Sequence, residues 1–192
     1  AQDLGNLIRA TTFVRDLDDL TAVIVGFGAR HTAEAALAER LEANVLFLPY
    51  QPRELLPESL SAADVHFVGL GQGLAGYVVP SRLYGILAVA RPVIVAADAD
   101  SEPARLVDRV GCGVVVPPGE PAALADAIRR AREGELDLEE MGRRGREYVE
   151  AEADRLRSDQ GDQQAGQLAR QNHTARDRLR EQQFGRDGIG RR

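Results

Sequence analysis

The feature that most constrains this chain is a series of short runs rich in β-branched residues with no polar alternation: Thr21–Gly26, Val45–Leu48, Val65–Val68, Pro92–Ala96 and Val114–Val116. A strand with one face in water alternates apolar and polar residues, so runs of this kind need cover on both faces. The cover lies between them. Helical patterning marks about His31 to Glu42, with Ala35, Ala36, Leu37 and Leu41 on one side, then Pro52 to Ala63, Ser81 to Ala90 and Glu102 to Val110. Strands alternating with helices predict an α/β fold, a Rossmann-like parallel sheet flanked by helices. Two further helices follow, Pro121 to Arg132, opened by Pro-Gly-Glu-Pro, and Leu138 to about Glu152. At the other end, Leu4, Leu7 and Ile8 already show helical spacing before any strand, and the chain does not begin with methionine. The expectation is a sheet whose first strand is missing, in a piece of something longer.

With 192 residues, one sizeable core is the limit. Composition changes near residue 153. From Ala151 to Arg192 there are nine Arg against seven Asp and Glu, and the large apolar residues Leu156, Leu168, Leu179, Phe184 and Ile189 stand far apart. Too few apolar groups remain to offset ordering entropy, so 153–192 is expected to be frayed helix or disordered, and 1–152 the folded domain. A net charge of -6 argues against the basic footprint of nucleic-acid binding. One cysteine, Cys112, makes no internal disulfide and points to a reducing, cytoplasmic setting. No apolar run approaches the roughly 20 residues of a membrane helix, and no leader pattern opens the chain. All 24 basic residues are arginine, which reads as coding bias.

Two glycine-bearing turns could carry chemistry. Gly26-Phe27-Gly28-Ala29-Arg30-His31 joins a strand to a helix, where N–H groups and the helix dipole can hold an anion. It is no dinucleotide fingerprint, because His31 occupies the third glycine position and no acidic residue closes the next strand. A tight turn is the plainer reading, with a lesser role lining a ligand crevice left open. The second is richer: Gly69-Leu70-Gly71-Gln72-Gly73-Leu74-Ala75-Gly76 runs into a helix expected to be capped by Ser81 or a neighbour. The N–H groups of Ser81, Arg82 and Leu83 would then face the loop. Arg82 stands at the positive end of the helix dipole, where a cation is disfavoured. A bound phosphate would remove that conflict, and an arginine extended into solvent would tolerate it.

From Val78-Val79-Pro80-Ser81-Arg82-Leu83-Tyr84-Gly85-Ile86-Leu87-Ala88-Val89-Ala90-Arg91-Pro92-Val93-Ile94 the chain resembles the donor-site segment of family 4 glycosyltransferases of the GT-B fold, above all the WbuB-like branch of bacterial surface-polysaccharide enzymes. Further stretches agree in order: Val25-Gly26-Phe27-Gly28, Asn44 to Tyr50, Leu60 to Val65, and Gly111 to Gly119. The resemblance runs from about Ala1 to Tyr148 and implies the C-terminal, nucleotide-sugar-binding half of a retaining two-domain enzyme. It implies a donor diphosphate held by Gly76, Ser81, Arg82 and Leu83, and a base and ribose region at Leu48, Pro49, Tyr50, Tyr77, Val78 and Val79. It also implies partners: a nucleotide diphosphate sugar, an N-terminal acceptor-binding domain not in this sequence, and a saccharide or lipid-linked acceptor, the latter at the inner membrane face. No cofactor or metal is called for, and no catalytic residue is assigned, since the usual base lies in the other domain. Where many members carry two glutamates, this chain has Tyr77 and Gly85, and the usual small glycine before the Pro92 strand is Ala90. The rival is a non-catalytic, truncated or degenerate binding module.

Single residues weigh less. His31, His66 and His173 are too scattered for a metal set. His66 reads as a satisfied strand residue, Cys112 as a small buried hydrophobe, Glu102 as a helix-capping carboxylate and Asp64 as structural.

Overall fold

The computed structural model describes residues 3–26, 28–70 and 80–157. The elements run α1 (Leu4–Thr11), β1 (Ala22–Val25), α2 (His31–Arg40), β2 (Val45–Leu48), a 3₁₀ turn (Arg53–Leu55) leading into α3 (Leu56–Ser61), β3 (His66–Gly69), α4 (Ser81–Ala88), β4 (Val93–Ala96), α5 (Glu102–Val110), β5 (Gly113–Val116) and α6 (Pro121–Arg132). A further helix, α7, covers 138–157. All strand pairs are parallel, as the unbroken apolar runs require. Among the described residues they form two sheets, β1-β2 and β3-β4-β5.

Period-two alternation divides the three-stranded sheet between two cores. Val93 and Val95 of β4 face Leu83, Ile86, Leu87 and Leu106 from α4 and α5, with Tyr148 and Val149 of α7 packed behind. Ile94 and Ala96 face Ala10 of α1 and Leu124 and Ile128 of α6. On the two-stranded sheet, α1 and α2 cover one face through Ile8 and Ala38 against Ile24. Helix α6 is tied at the surface to the segment after α1 by Arg129–Asp16 and Arg132–Asp19 pairs. Such exposed pairs contribute little, about 0–1 kcal/mol each.

Some element ends differ from expectation, each for a local reason. Helix α4 stops at Ala88 instead of Ala90 because Ala90 is left-handed, with φ 55. Its N–H bonds back to the Leu87 carbonyl at 2.9 Å and that of Arg91 to Ile86 at 3.3 Å, closing the helix end. A glycine would hold this conformation without the alanine's steric cost of roughly 1–2 kcal/mol. Helix α7 rests directly on that turn, since a Cβ on Gly142 would lie 2.1 Å from the Ala90 carbonyl oxygen. At α5 the cap is Ser101, whose side chain accepts from the Ala104 N–H at 3.4 Å. Glu102 is therefore not the cap but the first helical residue, where its charge favours the dipole. The segment Pro52–Ala63 is half 3₁₀ and half α-helix.

The chain divides into two compact units, Ala1–Val149 and Glu150–Arg192. Within the second, residues 150–157 are helical, with Arg155–Glu152 and Arg157–Asp154 pairs along the surface. Most of the polar segment expected beyond residue 153, namely 158–192, lies outside the described residues.

Candidate functional site

At the carboxyl ends of β1 and β2 the chain makes two turns that fit each other. Gly26 has φ +95, a conformation that suits only glycine, and its N–H donates to the Leu48 carbonyl at 2.9 Å. The Tyr50 ring lies against its backbone, so close that a Cβ on Gly26 would sit 2.5 Å from the ring. Tyr50 is nevertheless 72% exposed, a flat aromatic surface open to solvent. Leu48 beside it is half-buried and Pro49 exposed. Pro49 accepts a hydrogen bond from the Gln51 side chain at 3.1 Å. Gly28 to His31 turn tightly into α2. The His31 N–H donates to Gly28 at 3.0 Å, and the His31 ring meets Phe47 edge-on at 5.3 Å.

The second wall is the start of α4. Pro80, not Ser81, is the N-cap, no side chain caps the helix, and its first turn holds no acid. Leu83 is fully buried in the core, and its N–H turns back to Pro80 at 2.9 Å. Of the three N–H groups expected to face a ligand, that of Leu83 thus has an internal partner. Arg82 projects from this first turn. Desolvation by surrounding protein lowers its guanidinium pKa, and the nearby Tyr50 phenol works against that shift. Tyr50 is thus one of the groups whose charge acts on Arg82. Among the described residues, a Cβ at Gly85 would meet Leu60, at an ordinary 3.5 Å. Gly76, Tyr77, Val78 and Val79 lie outside the described residues.

Several single residues behave as their surroundings dictate. A ring nitrogen of His66 lies 2.7 Å from the Leu60 carbonyl, and burial lowers its pKa. The Cys112 thiol is buried and pushed up to about 11, which keeps it protonated and unreactive. Among the described residues no three His, Cys, Asp or Glu side chains gather as a metal site, and no helix is long and apolar enough to cross a membrane. Asp64 lines a cavity of about 600 Å³ with Arg91, Leu138, Glu139 and Arg143. It lies at the amino ends of the strands, away from Tyr50 and Arg82. The Gly26–Tyr50 contact had no sequence signal, because nothing in a two-residue Pro-Tyr step says where the ring lands.

A parallel, helix-wrapped sheet whose strand ends and helix start converge at the carboxyl edge defines a Rossmann-like nucleotide-binding type of domain. Residues 2–148 match the family Glycosyl transferases group 1, and the chain belongs to that family. It is similar to the putative colanic acid biosynthesis glycosyl transferase WcaI of Escherichia coli K12, with 33% identity over 80% of this chain and 37% of the relative. The chain therefore spans little more than a third of that relative's length. Among solved structures it is similar to the C-terminal domain of a glycosyl transferase group 1 family protein, LpcC, of Francisella tularensis, with TM-score 0.61, 18% identity and 78% of each chain covered. It is also similar to HepE of Anabaena, solved in complex with UDP-glucose, with TM-score 0.59 and 20% identity over 76% of this chain and 40% of that one. The fold is that of the C-terminal domain of GT-B glycosyltransferases, as the ordered motifs implied.

Proposed function

We propose that residues 1–152 form the donor-binding half of a retaining, family 4-like glycosyltransferase that moves a sugar from a nucleotide diphosphate to a saccharide or lipid-linked acceptor in surface polysaccharide synthesis, with 153–192 an appendage. The observation that carries this reading is the start of α4, where Arg82 stands in a first turn with no side-chain cap and no acid, in a domain whose β2 ends at the exposed Tyr50 ring. A nucleoside diphosphate carries a feature for each: an aromatic base for Tyr50, and anionic phosphates for Arg82 and the N–H groups of Ser81 and Arg82. Leu83 then supports the helix from the core rather than holding the ligand itself. Leu48 and Pro49 flank the base, and Gly76, Tyr77, Val78 and Val79 complete the diphosphate and ribose region. UDP-glucose in the HepE complex and the polysaccharide-synthesis name of WcaI support the substrate class. Catalysis in such a site is positioning plus stabilisation of the departing diphosphate, which cation and helix dipole supply without a metal. The acceptor and the catalytic base belong to a further N-terminal domain, and the enzyme works in the cytoplasm, at the inner membrane face when the acceptor is a lipid.

The test is calorimetric titration of the full-length protein with UDP, GDP and ADP, before and after Arg82→Ala. Loss of a charge-assisted hydrogen bond should weaken the preferred nucleotide roughly 10- to 150-fold, about 1.5–3 kcal/mol. The ligand-free variant should gain about 0.3–1 kcal/mol, because the dipole conflict is gone. Unchanged affinity refutes the site. A parent that binds no nucleotide favours the rival, a degenerate module, which Tyr77 and Gly85 in the glutamate positions would fit.

A further inference from the structure

We infer that Gly26 is a positioning residue for nucleotide binding: lacking a side chain, it seats one face of the Tyr50 ring and leaves the other face as a platform on which the donor's base stacks. This rests on the donor-binding reading above and adds the residue that fixes the ring. Its ground is the meeting of two strand ends. β1 and β2 run parallel with Val25 level with Leu48, and the ladder continues one bond further, from the Gly26 N–H to the Leu48 carbonyl at 2.9 Å. The two segments thus leave the sheet side by side. On one, Gly26 turns with φ +95. On the other, Tyr50 sits within Pro49-Tyr50-Gln51-Pro52, where each proline restricts its own φ and the residue ahead of it. The Gln51 side-chain amide closes back on the Pro49 carbonyl at 3.1 Å.

The distances fix how the ring lies. A Cβ on Gly26 would stand 2.5 Å from Cε1 of Tyr50 and 2.9 Å from each of the two ring atoms bonded to it, Cδ1 and Cζ. Such nearly equal distances belong to a point above the ring, over Cε1, whereas a point in the ring plane would lie much farther from both neighbours. The ring therefore turns a face to Gly26. Any side chain at that position would push it off its seat. The opposite face is open, since Tyr50 is 72% exposed, and among the described residues its hydroxyl makes no hydrogen bond that would hold the ring in another way. A ring seated on one face and open on the other is what a base needs for stacking, which is worth roughly 5- to 150-fold in affinity. Seating the ring beforehand reduces the ordering cost of binding.

Gly28 gives the contrast within the same turn. A Cβ there would meet nothing within 4 Å, so that glycine does not serve the ring. Gly26 answers two demands at once, a positive φ and the seat, and its replacement by alanine has two effects. It strains the backbone, and it displaces the ring. Because Tyr50 is exposed, the crowding is relieved by the ring swinging into solvent rather than by β1 parting from β2. The base then loses its platform while the start of α4, which meets the phosphates, is untouched.

The experiment titrates the full-length protein with its preferred nucleotide among UDP, GDP and ADP, and with inorganic pyrophosphate, which keeps the phosphates and lacks the base. Gly26→Ala and Tyr50→Ala should each weaken the nucleotide about 10-fold and leave pyrophosphate unchanged. The double variant should lose no more than Tyr50→Ala alone, because both changes remove one platform. Tyr50→Phe, which keeps the ring, should keep the affinity, and Gly28→Ala should change neither ligand. Without ligand, the Gly26 α-proton resonances, shifted upfield by the ring face, should return towards ordinary values in Tyr50→Ala, a readout that does not require Gly26→Ala to fold. Additive losses in the double variant, or a loss of pyrophosphate as large as that of the nucleotide, overturn the positioning role. Unshifted Gly26 protons overturn the seat. A parent that loses the nucleotide on Arg82→Ala but keeps it on Gly26→Ala overturns this inference alone, whereas a parent that binds no nucleotide overturns the donor reading and the base platform with it.

Discussion

β1 and β4 are built from the same four residues in different order, Ala-Val-Ile-Val and Val-Ile-Val-Ala, and they live in different surroundings. Every residue of β4 is buried, at 3% exposure or less, whereas β1 buries Ile24 alone and leaves Val23 and Val25 nearly half exposed. Among the described residues, β4 has a strand on each side and helices on both faces, whereas β1 has one neighbour and helices on one face. An apolar run specifies a strand that wants cover, but what arrives to cover it comes from elsewhere in the chain. The two sheets should accordingly answer the same substitution differently.

The sharpest contrast lies between two glycines. A Cβ on Gly113 of β5 would sit 1.9 Å from the Val93 carbonyl oxygen, while one on Gly28, in the turn after β1, meets nothing within 4 Å. Gly113→Ala should cost about 3 kcal/mol or more, by forcing β5 off β4, and Gly28→Ala should stay within about 0.5 kcal/mol. Denaturant melts of both settle it, and equal effects would break the contrast. Next come the valines. Val95→Ala removes fully buried surface and should cost about 2 kcal/mol, against about half that or less for Val23→Ala. A larger loss at Val23 would mean that β1 is better covered in solution than its exposure indicates.

A smaller effect belongs to α7, which backs the three-stranded sheet. The Arg143 side chain, then that of Arg144, holds Glu140 at about 2, below its ordinary 4.5. A carboxylate held low in the folded state stabilises above its unfolded pKa, and that contribution disappears as pH falls from about 4.5 towards 2. Glu140→Gln should therefore lower Tm at pH 7 and leave it unchanged at pH 2, a pH series of melts being the check. Glu140 and its arginine partners lie at the surface, so the change in Tm should be small. Least of all should come from removing 158–192, which its sparse apolar content predicts to change Tm by less than about 2 °C. A drop beyond about 5 °C would show that the segment docks on the folded unit.

Much of the fold was legible before any coordinates. The five apolar runs became five parallel strands within a residue or two, and α5 and α6 matched their expected limits, because caps, prolines and hydrophobic periodicity act locally. At α4 the local reading ran two residues too far, since a left-handed alanine looks like a helix former until α7 is seen pressing on its carbonyl. Ser101 outcompeted Glu102 as a cap because a side chain at the N-cap position reaches the free N–H groups and one a residue later does not. Of the candidate site, the turn at Gly26 and the start of α4 were readable from glycine and proline. That the Tyr50 ring covers Gly26 was not, because the two residues are 24 positions apart in sequence and meet only through the pairing of β1 with β2.

The sequence by itself determined that this chain is an α/β domain of parallel strands, where its helices lie, and, through motifs in a fixed order, the family to which it belongs. These follow from interactions within a few residues: hydrophobic period, turn chemistry and capping. Tertiary structure alone decided that the described strands split into two sheets, that Asn6 is buried without a hydrogen-bond partner among the described residues, and that Leu83 serves the core. Strand order, burial and encounters between distant side chains depend on which surfaces compete for the same cover, and that competition involves the whole folded unit at once.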